Sequence, residues 1–125
     1  MGIIFLLLVA CTPDRVVVVV SQPGCEDYDF DNPPAEALEV AQDSADLSVQ
    51  HVGVLGSCDA VFAPDVTSDG TTIEVHEVWT GDDPDPECVV CWAPTVTLQD
   101  PPRGRYDFRW YEGDAAFDTV SVEID

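Results

Sequence analysis

Lysine is absent from this 125-residue chain, and its cations are four arginines, Arg15, Arg103, Arg105 and Arg109, against twenty-five Asp plus Glu. Nucleic-acid binding works through clustered Lys and Arg that neutralise phosphates, so a formal net charge of -21 argues against that class. The same imbalance argues against electrostatic docking on an anionic lipid surface. Histidine is scarce too, with only His51 and His76. No Gly-rich phosphate loop and no HExxH is present, and Gly56-Ser57-Cys58 lacks the second glycine of a GxSxG nucleophile turn. With no catalytic motif in sight, the chain reads as a non-enzyme without a cofactor. Long hydrophobic runs are also missing. Ile3 to Ala10 is apolar for eight residues, whereas crossing a bilayer takes roughly 20. Extending the run to Val20 would place Pro13, Asp14 and Arg15 in hydrocarbon.

What is present suits one exported domain. The length fits a single folding unit, and a hydrophobic share of 46% is ordinary for a globular chain, so the acidity rides on a foldable sequence. Eight apolar residues suit the h-region of a secretory signal. The five cysteines are Cys11, Cys25, Cys58, Cys88 and Cys91. An odd count in an exported chain needs one cysteine with a separate role. Leu8-Val9-Ala10-Cys11 resembles the lipobox of bacterial lipoproteins, which places a branched apolar residue, a tolerant position and a small residue before the modified cysteine. The stretch before the run is Met1-Gly2, without the basic residues of the family pattern. The resemblance implies a signal peptide over 1–10, a diacylglycerol on Cys11 and a tether over 11–15, with the membrane as partner through that lipid. Several acyl chains on one residue give stable anchoring where one chain is marginal. Thr12 stands where enteric members carry an aspartate for inner-membrane retention, which points to the outer membrane.

Setting Cys11 aside leaves Cys25, Cys58, Cys88 and Cys91, an even number with three possible pairings. Structural disulfides are the reading we favour in an oxidising compartment. The spacing Cys88-Val89-Val90-Cys91 also occurs in redox and zinc sites, but Pro84, Pro86 and Pro94 flank it and no βαβ unit surrounds it. A zinc site would have to combine Cys58, Cys88 and Cys91 with a histidine. Asp27, Asp29 and Asp31 open like a calcium loop, yet Asn32, Pro33 and Leu38 break the EF-hand pattern. Asp82, Asp83 and Asp85 form a second acidic, proline-broken loop. These six aspartates are the calcium candidates of the sequence.

Residues 16–125 read as short strands between turns. Val16 to Val20 has the composition of a strand buried on both faces. Ala35 to Gln42 suits either a short helix or an irregular strand. Leu47 and Val49 alternate, then Val52 and Val54 switch face, which predicts a bulge near His51-Val52-Gly53. His51 there reads as a satisfied structural histidine. Ala60 to Ala63 suits a short strand, and Ser68-Asp69-Gly70 suits a hairpin turn. Thr72 to Trp79 sets Ile73 and Val75 inward and Glu74 and His76 outward, so His76 reads as solvated. Thr95 to Gln99 sets Val96 and Leu98 inward. Gly104 to Tyr111 carries Tyr106, Phe108 and Trp110 on one face, Gly113-Asp114 turns, and Thr119 to Asp125 sets Val120, Val122 and Ile124 inward. Six or seven such strands predict an all-β antiparallel β-sandwich. Leu98 to Tyr106 resembles the tyrosine corner of immunoglobulin-like sandwiches, although Phe108 stands where their cysteine follows. That resemblance implies that the Tyr106 hydroxyl bonds back to the preceding loop. The resulting expectation is a lipid-anchored envelope module that binds or braces an envelope protein or glycan. Metal binding by the acidic loops, or by thiolates with a histidine, is the second reading.

Overall fold

The computed structural model describes residues 16–25, 34–81 and 87–125. Cys11 and the lipobox lie outside the described residues, as do Asp27, Asp29, Asp31, Asp82, Asp83 and Asp85. The regular elements are all strands: β1 (Val17–Ser21), β2 (Ala37–Asp43), β3 (Asp46–Val52), β4 (Val54–Ser57), β5 (Val61–Phe62), β6 (Asp65–Asp69), β7 (Thr72–Glu77), β8 (Trp79–Thr80), β9 (Val89–Trp92), β10 (Thr95–Gln99), β11 (Gly104–Glu112) and β12 (Ala115–Ile124).

Alternation along these strands dictates the layers. One four-stranded sheet runs β1-β10-β3-β2 and the other β12-β11-β7-β6, with short ribbons β4-β9 and β5-β8 beside them. The first sheet supplies Leu47, Val49, Val96 and Leu98 to the interior, and the second supplies Ile73, Val75, Tyr106, Phe108, Trp110 and Val122. Full burial of an aliphatic or aromatic side chain stabilises by about 1.5–3 kcal/mol. This shared core therefore holds the two sheets face to face as a β-sandwich. The Tyr106 hydroxyl donates to Pro102 O at 2.7 Å, bracing the loop that enters β11. One pairing is parallel, β7 beside β11, and the other ladders are antiparallel.

Among the described residues twelve strands replace the expected six or seven, partly because apparent single strands change sheet. The bulge expected near His51-Val52-Gly53 is such a change. β3 ends at Val52, Gly53 takes a φ of +84°, and β4 continues as the partner of β9. A Cβ on Gly53 would also stand 2.8 Å from Pro34 O, so this position requires glycine twice over. Ala35 to Gln42 resolves as strand β2, hydrogen-bonded along β3; tertiary pairing overrides a weak helical propensity. β1 is not buried on both faces. It is an edge strand whose Val16 and Val18 pack on the core while Val17 stays 56% exposed. Its β-branched run reports strand preference rather than double burial.

The cysteines join as Cys25–Cys91 and Cys58–Cys88, with Cα separations of 5.4 and 5.5 Å. Cys88 and Cys91 take different partners because residues three apart in extended chain point to opposite faces. The CxxC pair therefore forms no redox couple. Cys58, Cys88 and Cys91 offer no thiolate, which removes the zinc set proposed for them with a histidine.

Candidate functional site

At one end of the core the inward alternation continues past its apolar residues into charged ones. Leu47 and Val49 on β3 are followed on the same face by His51, which is fully buried. Ile73 and Val75 on β7 are followed by Glu77, which is 6% exposed. Tyr106, Phe108 and Trp110 on β11 are followed by Glu112 at the rim, in register with Glu77. Glu36 precedes β2 on the side of Leu38, and Leu38 faces His51 in the β2–β3 ladder.

These residues form one network across the two sheets. Glu77 Oε2 accepts from His51 Nδ1 and, at 2.5 Å, from Trp110 Nε1. Glu77 Oε1 accepts from Trp79 Nε1 at 2.9 Å. A buried carboxylate is costly to desolvate, and three donors offset that cost. Burial by itself would raise the Glu77 pKa. The bonds from His51, Trp79 and Trp110, with the His51 charge, outweigh it and hold the carboxyl below its ordinary range. Glu77 is therefore acceptor-only, and Nδ1 of His51 carries a proton.

The other ring nitrogen faces outward. His51 Nε2 stands 3.1 Å from Glu36 Oε1, and ligand atoms of Glu36, His51 and Glu112 all lie within 4.8 Å of one another. Burial would lower the His51 pKa, but the bond to Glu77 and the charges of Glu77, Glu36 and Glu112 raise it overall. Glu112 is raised as well, by burial first and then by the Glu36 charge. The imidazole is held in place by its backbone and by an aromatic lid. His51 N donates to Pro94 O at 2.9 Å, and the Phe117 ring lies over the imidazole with centroids 4.3 Å apart. Phe117 reaches inward through a bulge. Trp110 pairs with Asp118 and Tyr111 with Ala116, which leaves Phe117 as the extra residue of β12.

His51 and Glu77 are thus a buried pair, and Glu36 and Glu112 the exposed carboxylates above it. His76 lies on the outer face, as its alternation implied. Its ring stacks on Tyr111 at 4.3 Å, its Nδ1 approaches Gly113 O at 2.9 Å, and its Nε2 is 3.6 Å from Glu74. Glu36, Glu77 and Glu112 were not among the sequence candidates. Comparison with protein-family models, with curated proteins and with solved structures returns no match.

Proposed function

We propose that the protein is a lipid-anchored envelope module: a disulfide-braced β-sandwich held at a membrane through Cys11, which binds or braces an envelope protein or glycan and carries out no catalysis. The observation behind this reading is the cysteine partition. Two disulfides occupy Cys25, Cys58, Cys88 and Cys91, and the remaining cysteine of the sequence is Cys11, at the end of the apolar run. Paired cysteines suit an oxidising compartment, and a lipid accounts for the odd one. Among the described residues no helix is long and apolar enough to cross a membrane. Only five residues separate Cys11 from β1. A short tether of that kind would hold the β1 edge of the sandwich toward the bilayer, with the acidic surface in water. The deciding experiment is metabolic labelling with palmitate in a bacterial host, comparing wild type with Cys11→Ser. Label on wild type and none on the variant supports the anchor; equal labelling eliminates it.

A further inference from the structure

We propose that Glu36, His51 and Glu112 form a binding site for one divalent transition-metal ion, with zinc(II) as the type case and Glu77 as the residue that orients the imidazole. This inference does not depend on the lipid anchor. It uses none of the residues that the sequence offered as metal ligands except for a histidine read there as structural.

The chemistry starts from Nε2. Nδ1 is committed as a donor to the Glu77 carboxylate, so the proton count of the ring is decided at Nε2 alone. That atom points at Glu36 Oε1, 3.1 Å away, with a Glu112 oxygen inside the same 4.8 Å cluster. A bare nitrogen lone pair facing two carboxylates is repulsive, and a cation placed among them relieves that repulsion. A proton on Nε2 is one such cation. A metal ion is the other, and it satisfies all three groups at once. Zinc with ligands at about 2.0–2.2 Å holds tetrahedral donor atoms roughly 3.3 Å apart. The separations here come within reach of that by rotation of two rim carboxylates. A metal-bound histidine characteristically donates its other ring N–H to a carboxylate, which fixes the tautomer and raises ligand basicity. Glu77 makes that bond, and it is itself fixed by Trp79 and Trp110. This backing distinguishes the cluster from the acidic surface elsewhere. The ligand set also decides the class of ion. Imidazole nitrogen with carboxylate oxygen suits zinc and its first-row neighbours, whereas calcium and magnesium prefer oxygen alone. Three protein ligands leave the fourth position to water or to an external anion. Binding displaces the Nε2 proton into the buffer, so affinity rises with pH.

The test is titration of the full-length, disulfide-bonded protein with zinc chloride by calorimetry in two buffers of different ionisation enthalpy. Long-range 1H–15N spectra of the imidazoles accompany it. The expected result is one zinc per chain, proton release on binding, and a change at Nε2 of His51 with Nδ1 still protonated. Glu36→Gln and Glu112→Gln keep the fold, because both side chains sit at the exposed rim, and each weakens zinc binding about tenfold or more. His76→Ala, on the outer face beside Glu74, leaves the isotherm unchanged, and so does excess calcium. The site is overturned if wild type takes up no stoichiometric zinc. It is equally overturned if both rim variants bind as wild type does, or if His76→Ala abolishes binding.

Discussion

His51 and Glu77, 26 residues apart in sequence and on opposite sheets, are hydrogen-bonded across the interior. The pair therefore ties the two layers together at the polar end of the core, as Val49 and Val75 do by packing further in. Removing one partner leaves an uncompensated buried group. Glu77→Leu strands His51 Nδ1 and the two indole N–H groups together, and breaking a buried pair from one side costs about 3–5 kcal/mol. Urea unfolding of the oxidised protein should show a loss of that size. A change below about 1 kcal/mol would mean that the network contributes nothing net.

Stability should be highest in weakly acidic to neutral solution. The groups facing His51 are Glu36 beside β2, Glu77 from β7 and Glu112 from β11. The raised His51 pKa means the fold holds this proton more tightly than the unfolded chain. Its contribution is complete below the ordinary histidine value of about 6.5 and is lost as pH rises through the folded value. Glu112, also raised, acts in the same direction at its own lower pH. Glu77 is lowered, so its contribution is complete above the ordinary glutamate value of about 4.3 and fades as pH falls through the folded value. Melting temperatures in chelator should drop on the alkaline side, and zinc should restore them. A profile flat from about pH 6 to about pH 9 would contradict the His51 assignment.

Gly53 and Gly70 offer a paired test of the sheet change. Both have positive φ, +84° and +63°, but a Cβ at Gly70 meets open space whereas one at Gly53 meets Pro34 O at 2.8 Å. A left-handed alanine costs about 1–2 kcal/mol wherever it occurs. Gly70→Ala should show that cost alone. Gly53→Ala should exceed it in chemical denaturation, because the backbone of 34–35 must also shift, carrying Glu36 with it. Equal losses would show that this approach imposes no constraint.

The nested disulfides predict a thiol count. In a Cys11→Ser background, Cys25→Ser with Cys91→Ser removes one bond and leaves Cys58–Cys88 intact, so denatured protein titrates no free thiol. Cys25→Ser with Cys58→Ser removes one partner from each bond and leaves Cys88 and Cys91 both free. Closing loops of 66 and 30 residues stabilises by about 4 kcal/mol each in the chain-entropy account, slightly more for the longer. The reverse thiol pattern would assign the pairing Cys25–Cys58 with Cys88–Cys91.

Much of the site was open to a reader of alternation. Leu47 and Val49, Ile73 and Val75, and Phe108 and Trp110 are inward pairs, and one further step along each run gives His51, Glu77 and Glu112. A titratable residue at the inward phase of three strands marks a polar end to the core. Polarity masks these three, because an inward phase is signalled by apolar residues, and the change of phase after His51 imitates a bulge. Phe117 was hidden for the opposite reason. A true bulge shifts its phase, so that it faces inward with Val120 and Val122 although it is out of step with them. Glu36 stands in phase with Leu38 but lies before the strand begins, and its place depends on the approach of Gly53 to residues 34–35. β6 escaped notice as well: Asp65–Asp69 is an exposed edge strand, nearly without apolar residues.

The parallel neighbourhood of β7 and β11 sets the order in which the chain can mature. A hairpin of β6 and β7 forms from residues close in sequence, but the far side of β7 keeps a row of bare amides and carbonyls until residues 104–112 arrive. During synthesis, that interval leaves an adhesive strip that nascent copies could share. A chain this rich in anions repels its siblings through the vulnerable period. Its scarcity of cations thus guards the unfinished molecule as well as solubilising the finished one.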